Sequence, residues 1–141
     1  DDGYTHIASA QVSCGADEAF AYLASLERMA EWNLNMSEIE VVDDALAKGV
    51  VTQTGTTVWV QVQADATTRT IHFFVGGSRD QLVPRIMVRV LSGECLGTMA
   101  EQCVISMIAW RLETMGDERW CRLMAAHEYE ILQIKTLLEM T

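Results

Sequence analysis

Basic side chains are scarce in this sequence of 141 residues. Ten Lys and Arg stand against 20 Asp and Glu, so the formal net charge at pH 7 is −10. No run of basic residues occurs, and an acidic surface repels the phosphate backbone of nucleic acids. The charge balance therefore argues against a nucleic-acid partner.

Long apolar runs are also missing, and the sequence has only one proline. No stretch is long and apolar enough to span a membrane, so we expect no membrane insertion. Half of the residues are hydrophobic and 21% are charged, which is typical of a folded globular protein. The length predicts a single domain over residues 1–141, with no repeat and no linker.

Motifs that carry cofactor or metal chemistry are absent as well. The four cysteines, Cys14, Cys95, Cys103 and Cys121, form no CxxC pair and have no zinc-type spacing to a histidine. We expect buried free thiols and no metal, and free thiols favour a reducing, cytoplasmic location. The GxGxxG, P-loop, GxSxG and HExxH patterns do not occur, so no cofactor is predicted.

The longest regular pattern is a helix predicted over residues 115–140. Apolar residues recur there with steps of three, four and seven, at Trp120, Met124, Ile131, Ile134 and Leu138. His127 lies on the same face, where the pattern calls for an apolar residue. A helix of about 24 residues is about 36 Å long, which is enough to cross a small sheet.

The rest of the chain predicts strands and two short helices. Strands are expected at residues 6–12, from residue 36, and at 54–63, 69–75, 84–91 and 102–112; short helices are expected at 16–24 and 26–32. Asp43-Asp44 and Lys48-Gly49 are expected to form a turn. Sequential strands with short turns pair antiparallel, so the predicted class is α+β, with a curved antiparallel sheet wrapped around the long C-terminal helix.

Two local patterns carry a resemblance to a known family. Residues 16–33 read ADEAFAYLASLERMAEWN, and residues 117–120 read DERW before an amphipathic helix that ends IKTLLE. With the order of elements, these resemble the START-like (SRPBCC) superfamily of polyketide cyclase/dehydrase and lipid-transport type, which has a helix-grip fold. Gly15-Ala16 and Ala30 stand where that family usually has prolines, and His127 stands where it usually has an aliphatic residue.

The resemblance implies a cavity between the sheet and the long helix. The predicted wall residues are Val58, Val60, Phe73, Val88, Met107, Trp110, Met124, His127 and Ile131. Each of them either contacts a ligand or fills the core, and core packing is the more common role of such residues. His127 is the candidate acid/base or ligand-orienting group, and the alternative is a histidine bonded to the protein itself.

Arg85 and Arg89 share one face of a predicted strand. Such a pair either binds a carboxylate or phosphate or lies on the solvated convex face, and the solvated position is the more frequent one.

Three functions remain open at this point. The favoured one is binding of a small hydrophobic or aromatic molecule in the cavity, by a monomer or a homodimer. The alternative is an enzyme resembling polyketide cyclases and dehydratases, with His127 as acid/base. The third, implied by the resemblance, is an interaction module that binds a protein partner through the edge of the grip.

Overall fold

A computed structural model describes residues 3–140, which form seven strands, two α-helices and two short 3-10 helices. The strands are β1 (Thr5–Val12), β2 (Met36–Asp43), β3 (Leu46–Val51), β4 (Thr57–Asp65), β5 (Thr70–Gly76), β6 (Val83–Ser92) and β7 (Cys103–Trp110). The α-helices are α1 (Ala16–Ala24) and α2 (Asp117–Glu139), and the 3-10 helices span Met29–Glu31 and Gly93–Leu96.

All seven strands belong to one antiparallel sheet in the order β1-β7-β6-β5-β4-β3-β2. Consecutive strands from β2 to β7 are neighbours, which short turns permit. The first strand instead pairs with the last, so α1 and its following turn connect opposite edges of the sheet. The predicted α+β class, with a curved antiparallel sheet around the C-terminal helix, is confirmed.

The region between residues 43 and 51 differs from the sequence prediction. The expected turn contains strand β3, which pairs with β2 and β4. Gly49 belongs in this strand because a Cβ there would lie 2.8 Å from the carbonyl oxygen of Ser37. The glycine that looked like a turn signal therefore allows close approach between neighbouring strands.

The second short helix, predicted over residues 26–32, is also shorter than expected. Only Met29–Glu31 is helical, with 3-10 geometry, and Trp32 N–H donates to the carbonyl of Met29 at 3.2 Å. Met29 and Trp32 are buried, so this segment serves chiefly to place two large side chains under the sheet.

Alternation of side chains along the strands produces the core. In β7, buried residues alternate with half-buried ones from Cys103 to Trp110. Helix α2 lies against β1 and β7 and buries one face, consisting of Trp120, His127, Glu130, Ile131, Ile134 and Leu138. That face thus contains two ionisable residues among apolar ones.

The cysteines divide by exposure. Cys14 and Cys103 are buried, as predicted, whereas Cys95 and Cys121 are exposed, which the sequence prediction had wrong. No helix within residues 3–140 has an apolar stretch that would cross a membrane.

Candidate ligand-binding cavity

A cavity of about 110 Å³ lies between the concave face of the sheet and α2. Its sheet wall is apolar except for Arg85 and consists of Met36, Val51, Val58, Val60, Phe73, Val75, Arg85 and Ile86. The opposite wall comes from the segment after α1 and from α2 with the residues before it: Met29, Trp32, Asn33, Asn35, Met115 and Leu123. Gln53 and Arg119 also line it and are exposed, so the cavity reaches the surface there.

Three of the nine sequence-predicted wall residues line this cavity. They are Val58, Val60 and Phe73, which point inward from β4 and β5. Their contact with a ligand stays a prediction.

The other six predicted residues lie elsewhere. Val88, Met107 and Ile131 are buried in the main core, and Met124 packs against the cluster of Ala109, Met115 and Trp120. Trp110 is three residues after Met107, so strand alternation places it on the other face of β7, where it is half-buried.

The sixth, His127, is completely buried but does not line the cavity. Neither ring nitrogen has a hydrogen-bond partner within residues 3–140. The nearest carboxylate oxygen, Glu130 Oε1, is 3.9 Å from Nε2, which is too far for a hydrogen bond. Burial, followed by the nearby positive charges of His6 and Arg85, lowers the pKa of His127 to about 4. The imidazole is therefore neutral at pH 7 and forms no ion pair with Glu130.

His6 is the second histidine of this region. Its ring packs edge-on against His127 with centroids 6.1 Å apart, and its Nε2 lies 3.0 Å from Glu128 Oε1. His6 lies near the N-terminus, far from α2 in the sequence. The pairing of β1 with β7 brings it beside α2.

Among the described residues that line the cavity, Glu130 is the only acidic one. Its Oε2 accepts a hydrogen bond of 2.8 Å from the backbone N–H of Leu34. Burial raises the pKa of Glu130 to about 7, since an ionised carboxylate is poorly solvated there. A group with this pKa exchanges protons near neutral pH.

Trp32 adds a polar donor to the same end of the cavity. The indole is 3% exposed and packs edge-on against Phe73, with ring centroids 6.2 Å apart. Its Nε1–H has no partner within the described residues. Buried indole N–H groups usually have an acceptor, and because Trp32 lines the cavity, an acceptor on a bound molecule would satisfy this donor.

Arg85 lies in the cavity wall because of an irregularity in β6. Phe73 pairs with Ile86 and Phe74 with Pro84, which leaves Arg85 as an extra residue. Such a bulge turns a side chain away from its expected face. Arg85 and Ile86 both line the cavity, whereas Arg89 is exposed. The prediction that the two arginines share one face of the strand is therefore wrong.

No group of three or more His, Cys, Asp or Glu in residues 3–140 is arranged to hold a metal ion. The described groups that line the cavity are apolar side chains, two arginines, one carboxyl group, the amides of Asn33, Asn35 and Gln53, and the indole of Trp32.

Solved structures resemble this fold closely despite low sequence identity. Zhui aromatase/cyclase from Streptomyces sp. R1128 superposes with a TM-score of 0.71 at 13% identity, covering 96% of this chain and 93% of that one. A START superfamily protein from Mycobacterium smegmatis has a TM-score of 0.66 at 12% identity, with 98% and 99% coverage. The protein XoxI from Bacillus cereus has a TM-score of 0.70 at 8% identity, with 95% and 94% coverage.

The sequence itself matches no protein-family model and no curated protein. Identities this low establish the fold alone. The chain has the START-like helix-grip fold, and the resemblance found in residues 16–33 and 117–139 is confirmed at that level.

Proposed function

We propose that this protein binds a small hydrophobic molecule in the cavity between the sheet and α2. The supporting observation is the cavity itself, whose sheet wall is apolar except for Arg85 and which has polar groups at its two ends. Ligand sites generally combine apolar walls with a few placed polar groups. Neighbours with this fold include an aromatase/cyclase and a START superfamily protein.

The volume limits the size of the bound molecule. An apolar cavity of about 150 Å³ accommodates benzene. The cavity here is smaller, at about 110 Å³, so its enclosed part holds at most a single ring or a short branched chain, and any extension leads out past Gln53 and Arg119.

Fluorobenzene is a suitable neutral probe, followed by ¹⁹F NMR. We expect saturable binding with one site per chain. Leu123→Trp should abolish it because the larger ring fills the cavity. Met124→Trp is the matched control, since Met124 is the next residue on the same helix, is similarly half-buried and does not line the cavity.

The outcomes separate a binding cavity from a packed core. Binding that Leu123→Trp removes and Met124→Trp retains supports the proposal. Binding that survives both substitutions, or no binding to the folded protein, contradicts it.

A second candidate function is acid–base catalysis on a bound molecule, as in a cyclase or dehydratase. The observation in its favour is Glu130, a cavity residue whose pKa is raised to about 7. His127 stands behind it, 3.9 Å away, and is not itself at the cavity wall. On this hypothesis Glu130, rather than His127, exchanges the proton with the substrate.

The probe for this hypothesis is 5-nitrobenzisoxazole, whose ring opens when a base removes one proton. Catalysis should rise with pH as Glu130 ionises and should be lost in Glu130→Gln. Turnover equal to the buffer background in the folded protein, or unchanged in Glu130→Gln, rejects Glu130 as a base.

A cytoplasmic location, homodimer formation and the absence of a nucleic-acid partner stay predictions. The first rests on the free thiols and the last on the net charge of −10.

A further inference from the structure

The end of the cavity near the start of α2 carries two arginines, Arg85 and Arg119. Arg85 is half-buried, and its Nε donates to the carbonyl oxygen of Trp110 at 2.9 Å. That bond holds the guanidinium in place. Arg119 lies in the first turn of α2 and is exposed at the mouth.

Neither arginine has an acidic partner among the described residues, although the sequence has 20 acidic residues and 10 basic ones. Six of the ten basic side chains lie within 4.0 Å of a carboxylate: Arg28, Lys48, Arg69, Arg111, Arg122 and Lys135. Within residues 3–140, Arg85 and Arg119 have no such neighbour. The cavity mouth is therefore locally positive on an acidic protein.

The two positive charges also act on each other. Burial first, and then the charge of Arg119, lowers the pKa of Arg85 from its usual value. Two like charges without a counterion repel, and a bound anion between them removes that repulsion. The planar guanidinium of Arg85 is suited to a carboxylate, with which arginine commonly forms paired hydrogen bonds.

The other end of the cavity has an acidic residue, Glu130, in place of the two arginines. Glu130 is eleven residues after Arg119 on the same helix, which corresponds to about 16 Å along the axis. An ionised Glu130 repels an anion, and a protonated one offers at most a single donor. A bound acid is therefore oriented with its carboxylate toward the arginines and its apolar part along Val58 and Phe73.

We propose, on the basis of the proposed function, that the ligand is a small hydrophobic carboxylic acid bound as its anion, with the carboxylate between Arg85 and Arg119. A single-ring aryl acid suits a cavity of about 110 Å³ that opens beside Arg119, because the ring occupies the apolar interior while the carboxylate stays near the opening.

Phenylacetate and phenylacetamide test this inference because they are nearly identical in shape and differ by one charge. We expect phenylacetate to bind the wild-type protein at least tenfold more tightly than the amide, as measured by isothermal titration calorimetry. Arg85→Met should remove that preference, so that the acid and the amide bind with about equal affinity. Arg119→Met should weaken it, and because Arg119 is exposed, added salt should weaken its contribution in the wild type.

Arg89→Met is the matched control. Arg89 is on the same strand, has no carboxylate partner within the described residues and is exposed away from the cavity. Its replacement should leave the preference unchanged. If Arg85→Met fails to fold because its bond to Trp110 is lost, Arg119→Met decides the test.

The result that overturns the inference is equal affinity for acid and amide, or a preference that both arginine variants retain. Binding of fluorobenzene in that case leaves the proposed function standing. If neither acid, amide nor fluorobenzene binds, the proposed function and the inference fail together.

Discussion

At the scale of the residue, the buried side chain of His127 lacks hydrogen-bond partners. Both ring nitrogens are buried without a partner in the described chain. An unsatisfied buried polar group costs about 1–3 kcal/mol. The surrounding helix face is otherwise apolar apart from Glu130, so a leucine of similar size meets the same neighbours without that cost.

The first prediction is that His127→Leu stabilises the protein. We expect the free energy of unfolding at pH 7, measured by urea denaturation, to rise by about 1 kcal/mol or more. Affinity for fluorobenzene should not change, since His127 does not line the cavity. A loss of stability of similar size would show that the imidazole makes a favourable interaction.

The second prediction concerns the pH dependence of stability. The pKa of His127 falls from 6.5 to about 4 in the folded protein, so its contribution to stability is present above pH 6.5 and is lost as the pH falls toward 4. The pKa of Glu130 rises from 4.5 to about 7, so its contribution is present below pH 4.5 and is lost as the pH rises through 7. The two effects oppose each other between about pH 4.5 and 6.5.

Single variants separate these effects. Glu130→Gln should lose stability on going from pH 6.5 to 5, and His127→Leu should gain stability on going from pH 7 to 5. Each slope should approach about 1.4 kcal/mol per pH unit, the value for one proton. Denaturation curves across this range test the signs, and the same sign of slope in both variants would reject the assignment.

At the scale of the element, strand β3 depends on a residue without a side chain. A Cβ at Gly49 would lie 2.8 Å from Ser37 O and 3.0 Å from Met36 Cε. The first atom belongs to the backbone of the paired strand β2 and cannot move aside without breaking the pairing.

The third prediction is therefore that Gly49→Ala destabilises the protein by about 1–3 kcal/mol, as overpacking does. Gly77→Ala is the control, because nothing lies within 4 Å of a Cβ there and Gly77 does not have positive φ. Urea denaturation compares the two, and equal stability of both variants would contradict the close contact.

Residue periodicity predicted most of the strands and the long helix, but not every element. The two-residue period predicted β4, β5 and β6, and the helical period predicted α2, because those patterns follow directly from geometry. Strand β3 was hidden because glycine and lysine in it resemble a turn. The bulge at Arg85 depends on the pairing register of β5 and β6, which no local pattern encodes.

Glu130 was missed for a different reason. It is three residues after His127 and four before Ile134, so helical spacing places it on the buried face. A charged residue at such a position is normally taken as solvated. Applying the spacing rule regardless of residue type would have identified it.

At the scale of the whole molecule, the position and the lining of the cavity depend on how the sheet curves. The sheet from β1 to β2 curves around α2, and residues of β3, β4, β5 and β6 together form one wall. The cavity thus depends on contacts far apart in sequence, which explains why only Val58, Val60 and Phe73 of the predicted wall residues line it. Val88 and Met107 have the same inward-facing periodicity, but they belong to the main core, toward the edge of the sheet that α2 covers.

The methionines are distributed so that their methyl groups can report binding in this cavity. Met29, Met36 and Met115 line it, and Met99 and Met140 are 58% and 75% exposed. The ε-methyl groups report ring-current effects from an aromatic molecule bound nearby.

The most direct measurement is therefore a titration of ¹³C-methyl-methionine-labelled protein with fluorobenzene, followed by methyl NMR. We expect the signals of Met29, Met36 and Met115 to shift together along one saturable curve, while those of Met99 and Met140 stay in place. Shifts confined to Met99 and Met140, or no saturable shift at the three cavity methyls, would contradict a binding cavity between the sheet and α2.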